Sequence, residues 1–419
     1  MNKSLITYLL IGLTVSCYFF PFEFTFLPKG LNTKILLSVL GVLFYGLHSI
    51  QAGRAKVDRD VLIAAVLAFV FSLEGWISVD LNASTDYAYS NYIISFGTWL
   101  GAAYAAYRIM LWGHGYVDFK LLIHYLIGVC VLQCALALAI DMIEPLKYWV
   151  NLYIAQDTVA NVEFLEKVNR LYGIGAAIDV AGTRFSVVLL GIAAMLIQEL
   201  QYKRRTAIMV LYWVAFIFIV GVGNMISRTT TIGTILSLVY LLFGSGILHT
   251  NIKESSLKLW GIFVFVSIGL FLLGTYFYHT NDNIKELLRF GFEGFFNWVE
   301  KGEWKTDSTD RLNTVMWNWP DNADWQTWII GKADFSWAGT KTDIGYCRFV
   351  FYGGLVGLTT FSLFFVYNAW ACAQKFPQQQ LFFLFLLAMG FIVWLKVATD
   401  LFLIYALFYC LDKERGGSR

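Results

Sequence analysis

The chain of 419 residues carries 31 Lys and Arg against 29 Asp and Glu, a net charge of +2, and is 58% hydrophobic but only 14% charged. With a mean hydropathy of +0.61 it is too apolar for a soluble domain of this length, and no basic tail points to nucleic acid. The apolar runs approach twenty residues, the length of a membrane-crossing helix rather than the roughly ten of a barrel strand, so the expectation is an all-α polytopic membrane protein.

In chain order, the hydropathy predicts about twelve spans, over residues 4–21, 33–50, 61–79, 92–112, 121–141, 184–200, 206–224, 229–248, 259–278, 346–371, 380–396 and 399–412. Lys3 precedes the first run and no small-residue cleavage site follows it, so it reads as a retained helix rather than a signal peptide. The stretch from Leu381 to Leu411 is interrupted only by Lys396 and Asp400, where a break would give two short helices or a re-entrant pair.

Lys and Arg accumulate in alternate loops: Arg54, Lys56 and Arg59; Lys120; Lys203, Arg204 and Arg205; Lys253 and Lys258; Lys375; and the tail with Lys413, Arg415 and Arg419. The opposite loops hold only Lys29, Lys34 and Arg228. The positive-inside rule then predicts cytoplasmic termini and two long external loops, 142–183 and 279–345, within a single membrane domain 1–419.

Each long loop carries helical spacing of its own, through Trp149, Tyr153, Val162, Phe164, Leu165 and Val168 in the first and Leu287, Leu288, Phe292, Phe295, Phe296 and Trp298 in the second. Two readings stand: interfacial helices that cap the bundle, or walls of a groove for a lipid-linked substrate.

Ionisable groups at membrane depth are costly and mark sites to inspect. Glu74 and Arg108 fall within predicted spans, while Lys396 and Asp400 read as a functional pair or a mutually neutralising one. Arg228 follows Gly221-Val222-Gly223-Asn224 and precedes Thr229, Thr230 and Thr231, a hydroxyl-rich helix start suited to a diphosphate; capping by Ser227 or a threonine is the alternative. Arg170 and Arg184 flank the glycine-rich Tyr172–Gly175 on the same side, and Arg184 opens a predicted span. Several arginines on one face without an opposing acidic cluster would bind a phosphorylated substrate.

In the second loop, Arg311 of Ser308-Thr309-Asp310-Arg311 is either another anion binder or the partner of Asp310. Asp343, between Lys341 and Gly345 ahead of a span, is a candidate base or a helix cap. No metal is expected: the first external loop offers only Glu23, the D-x-x-D patterns at Asp307/Asp310 and Asp321/Asp324 are weak, and no His lies in the core of the second loop. The cysteines fall in or beside apolar runs without a CxxC in either long loop, which argues against a disulfide framework.

Ser227–Gly233 (S-R-T-T-T-I-G), Asp310-Arg311 with Trp317, Ile329–Lys332 (I-I-G-K), and Asp343–Tyr346 (D-I-G-Y) with Cys347, Arg348 and Gly353–Gly357 (G-G-L-V-G) resemble the bacterial O-antigen polymerase family (Wzy), within a superfamily that includes the O-antigen ligases (WaaL). The resemblance implies a metal-independent, cofactor-free, inverting glycosyltransferase of GT-C type at the periplasmic face of the inner membrane. Its donor and acceptor would be undecaprenyl-diphosphate-linked oligosaccharides, with a chain-length regulator as a further partner.

By the same resemblance Arg228 and Arg311 would grip the diphosphate, with Arg170 or Arg184 assisting, and Asp343 would take the acceptor proton. Lys332, Lys341, Tyr346, Arg348 and Trp317 would contact diphosphate or sugar. Where the ligases carry a His motif, D-I-G-Y stands here, which favours polymerase over ligase; a lipid-linked sugar flippase is the reading from another class.

Overall fold

The structure is a computed structural model that describes residues 5–155, 170–201, 206–248, 250 and 252–412. The patterned positions Val162, Phe164, Leu165 and Val168, and the basic residues Lys203–Arg205, Lys413, Arg415 and Arg419, lie outside these residues. In chain order the helices are α1 Leu5–Phe19, α2 Thr33–Ala52, α3 Arg59–Leu81, α4 Tyr92–His114, α5 Phe119–Met142, α6 Glu144–Tyr153, α7 Ile178–Gln201, α8 Thr206–Ile226 and α9 Thr230–Gly244. There follow α10 Glu254–Thr280, α11 Asp282–Gly291, α12 Glu293–Lys301, α13 Asp307–Arg311, a π turn Leu312–Met316, α14 Trp325–Ile330, α15 Trp337–Thr340, α16 Gly345–Lys375, α17 Gln380–Trp394 and α18 Phe402–Cys410.

Among the described residues eight helices are long and apolar enough to cross a membrane, and the chain is a multi-pass helical membrane protein. The count falls below the predicted dozen for physical reasons. α1 and α9 run 15 residues each and α18 only 9, and small and polar-aromatic residues dilute the 23-residue α4. The break expected at Lys396 and Asp400 is present, beginning slightly earlier: the backbone leaves the helix at Leu395, and Asp400 Oδ1 accepts from the Phe402 backbone N–H (2.7 Å) to start α18.

The contacts divide the chain into two compact units, Met1–Thr33 with Asp118–Lys305, and Lys34–Val117 with Thr306–Arg419. In the first, α7 is the central post, buried over 94% of its apolar window. It meets α9 so closely that a Cβ on Gly233 would lie 2.2 Å from Ser186 Cα, the small-residue packing that membrane helices use where lipid and side chain are equally apolar. At one end of this unit Glu23–Phe24 pair antiparallel with Ile154–Ala155, tying the loop after α1 to the loop after α6. At the other end Lys120 Nζ meets Glu199 Oε1 at 2.6 Å.

The second unit is built on aromatic stacking. Phe361 of α16 lies 4.4 Å from Phe71 of α3 at 16° and 5.6 Å from Trp394 of α17 at 6°. α16 is not one continuous helix: Gly354 takes φ 65° and ψ −167°, a conformation open essentially to glycine alone. The break frees the carbonyls of Phe351 and Tyr352, which accept from the backbone N–H groups of Lys332 (2.8 Å) and Ala333 (3.0 Å). Tyr352 O also accepts from Ser78 Oγ of α3 (2.9 Å).

Candidate functional site

In the first unit, α11 presents Phe290 to two arginines: the guanidinium of Arg228 lies 4.4 Å from the ring centroid and that of Arg170 5.2 Å from it. The ring's negative faces offset part of the repulsion between the two cations. Arg228, in the turn between α8 and α9, also meets Glu293 Oε2 at 2.5 Å, and Glu293 opens α12, where a helix N-terminus favours a carboxylate. Arg170 Nε is buried with no hydrogen-bond partner among the described residues. Burial presses the Arg170 guanidinium below its ordinary range, Asp179 counters, and the like charge of Arg228 adds to the fall.

Arg170 also lines a cavity of about 320 Å³ with Asp141, Lys147, Tyr172, Asn283 and Glu286 among its walls. The cavity lies between the end of α5, residues 170–172 and α11, with Lys147 of α6 at its edge, and is in the size range of small-ligand sites.

Three expectations for this unit are corrected. Arg184 does not open its helix; α7 begins at Ile178, and Arg184 sits in its second turn, 7% exposed, with its guanidinium 5.6 Å from the Phe20 ring. The helix extends earlier than hydropathy indicates because Asp179 is used inside the protein, accepting from Ser227 Oγ (3.0 Å) and from Thr229 Oγ1. The arginine face therefore does have opposing acids, Asp179 and Glu293. Nor does the hydroxyl-rich start of α9 offer its groups outward: Thr230 Oγ1 donates to Gly223 O (3.1 Å) and Thr231 Oγ1 to Asn224 Oδ1 (2.6 Å), back onto α8.

In the second unit the π turn folds over the start of α16. Met316, Ile344 and Cys347 pack together with Leu312 and Tyr346, Thr342 Oγ1 donates to Met316 O (2.5 Å), and Asn318 Nδ2 donates to Thr340 O (2.8 Å). Arg311 ends the helix leading into that turn and Asp343 lies in the segment beneath it. The Arg311 side chain is exposed and that of Asp343 half-buried, and neither forms a hydrogen bond or ion pair with a described residue. The Asp310–Arg311 pair is thus not formed. Nor does Asp343 cap α16: Ile344 occupies the cap position, and its N–H donates to Thr342 Oγ1 at 3.1 Å.

The other assigned residues divide. Trp317 is 44% exposed and Lys341 is exposed in a left-handed conformation with φ 50°. Three are engaged within the fold. Lys332 Nζ donates to Gly339 O (3.2 Å) above Phe351; Tyr346 Oη donates to Phe391 O (3.0 Å); Arg348 Nη2 donates to Phe335 O (2.7 Å) with its guanidinium over the Phe335 ring. These are structural bonds, because each satisfies a carbonyl left by an irregular turn or a helix end. Sequence reasoning missed Phe290, Asp179 and Glu293; only the apolar spacing around residue 290 hinted at the first.

Among the described residues no group of three or more His, Cys, Asp or Glu is arranged to hold a metal ion. No protein-family model, curated protein or solved structure matches the chain.

Proposed function

We propose that the protein is a GT-C-type glycosyltransferase of about twelve spans that polymerises undecaprenyl-diphosphate-linked oligosaccharides at the periplasmic face of the bacterial inner membrane. One observation carries the reading: Arg170 and Arg228 gathered on Phe290, with Arg170 bordering a polar cavity between the end of α5 and the amphipathic α11 of the second long loop. Planar guanidiniums suit a diphosphate because their forked donors match its oxygens, and amphipathic helices at a membrane surface suit a substrate whose tail stays in lipid.

The reaction is a displacement. An acceptor hydroxyl attacks the anomeric carbon, the bond from that carbon to the diphosphate oxygen breaks, and undecaprenyl diphosphate leaves with the electron pair. The leaving group is already stabilised, so charge neutralisation and positioning supply much of the rate without a metal. The Arg170–Arg228 pair is assigned to the diphosphate, displacing Glu293 from Arg228 as it binds. In the second unit, the resemblance assigns the acceptor proton to Asp343, whose carboxylate bonds to no described residue, and assigns Arg311 and Lys341 to the substrate. Arg184, Lys332, Tyr346 and Arg348 are assigned to the framework instead.

The test is turnover of a purified undecaprenyl-diphosphate repeat unit by the detergent-solubilised protein with EDTA present. A ladder of longer glycans that disappears in Arg228→Ala supports the polymerase. Transfer only when lipid A core is added reassigns it as a ligase, and movement of the lipid across liposomes without transfer overturns the enzyme reading.

A further inference from the structure

The second unit holds an aromatic surface that extends beyond Trp317, the one tryptophan the resemblance assigns to substrate. Trp317 and Trp319 lie 6.0 Å apart at 31°, and Trp319 and Trp328 5.8 Å apart at 16°. Rings in full overlap would sit about 3.5–4 Å apart, so these are slipped like treads of a stair and leave part of each face uncovered. Trp317 and Trp319 are 44% and 38% exposed.

The stair is held from beneath. Asn318, between the first two rings, donates through Nδ2 to Thr340 O (2.8 Å) and through its backbone to Met316 O (2.8 Å). The third ring donates through Nε1 to Asp321 O (3.1 Å). Rings fixed in advance lose little freedom when something binds them. Their rim is acidic: Asp321 and Asp324 are exposed, and Asp324 is held below the ordinary carboxylate range by hydrogen bonds from the side chain and backbone of Thr327. Each carboxylate spends only part of its acceptor capacity on the local turn.

Two occupants suit exposed tryptophans in a membrane protein, the bilayer interface and a sugar chain. The rim decides between them. Rings anchored in the bilayer interface draw their rim towards the lipid, where ionised aspartates lose hydration without gaining a partner, whereas a pyranose presents an apolar C–H face to a ring and a girdle of hydroxyls to carboxylates. We propose that Trp317, Trp319 and Trp328 form a binding platform for a neutral oligosaccharide, with Asp321 and Asp324 accepting from its hydroxyls. The choice of glycan as ligand agrees with the polymerase reading, but the platform binds sugar without turnover, so the two fail separately.

The protein in lipid nanodiscs is titrated with fluorescently labelled tetrasaccharides of hexose, N-acetylhexosamine and 6-deoxyhexose. Binding of at least one is expected, weakened about tenfold or more in Trp317→Ala/Trp319→Ala, as loss of aromatic stacking costs elsewhere, and unchanged in Trp304→Ala, which removes an exposed ring outside the stair. Hydroxyl-radical footprinting of the wild type checks the surroundings: the rings should oxidise freely without sugar and be protected by the tetrasaccharide that binds. No binding of any tetrasaccharide, equal binding by the double variant, or rings protected before sugar is added would each overturn the platform.

Discussion

Gly331 and Gly354 each press onto the backbone beside the other: a Cβ on Gly331 would lie 2.2 Å from Tyr352 O, and one on Gly354 would lie 2.2 Å from both C and O of Ile329. Two of the motifs that carry the family resemblance, I-I-G-K and G-G-L-V-G, are halves of one clasp. Neither glycine has room for a side chain, and Gly354 also has a backbone conformation that other residues enter at a cost on the order of 1–3 kcal/mol.

Gly354→Ala should therefore lower the thermal unfolding midpoint in detergent by several degrees. Gly353→Ala, whose added Cβ meets nothing within 4 Å, should change it little. Equal midpoints for the two variants would show that the clasp does not hold α16 to α14.

On the proposed reading, Arg228→Ala should cut polymer formation about 100-fold, the scale for losing one donor to a developing oxyanion. Arg228→Lys keeps the charge but not the planar stack on Phe290, so it should recover no more than a small part. Initial rates at saturating lipid decide the point, and full rescue by lysine would remove the stack from the mechanism.

Asp343→Asn should lower turnover about 100-fold or more while leaving the unfolding midpoint within a degree or so of wild type, because the carboxylate bonds to none of the described residues. A variant that is active, or one that is inactive because it no longer folds, would shift Asp343 out of the proton-accepting role.

Arg289 and Glu300 join α11 to α12 by two parallel bonds of 2.8 Å each. The bonds from Arg289 hold the Glu300 carboxyl below its ordinary range. A depressed carboxyl stabilises the fold above its unfolded value of about 4.3, and that contribution is lost as pH falls through the depressed value. Protection factors of residues 282–301, which remove the intrinsic pH dependence of amide exchange, should fall on acidification across that window in wild type. They should be lower throughout, with no such step, in Glu300→Gln.

The helices were legible because apolar length and composition decide them, and the change of direction near Lys396 was legible because charge interrupts an apolar run. The start of α7 was not: Asp179 reads as loop, yet it is retained in helix because its carboxylate gathers Ser227 and Thr229 from 48 and 50 positions away. The same limit applies to function. That Arg228 is cationic is plain from the chain, whereas its contacts with Phe290 and Glu293 depend on how α11 and α12 fold back. Lys332, Tyr346 and Arg348 look like ligand-binding groups in sequence, but irregular backbone nearby claims their donors first.

The division of the chain into units is interleaved, and this sets a timetable for synthesis. Residues 34–117 emerge early, but the rest of their unit, from residue 306 onward, is made last. Ser78 finds its acceptor 274 positions later and Glu74 its partner Thr360 286 positions later, a wait of roughly 10–60 s at about 5–20 residues per second. Throughout that interval α3 carries a carboxylate and a hydroxyl whose final partners do not yet exist. A chain halted before residue 306 therefore leaves α3 without the final partners of Glu74 and Ser78, although the fault lies hundreds of residues downstream.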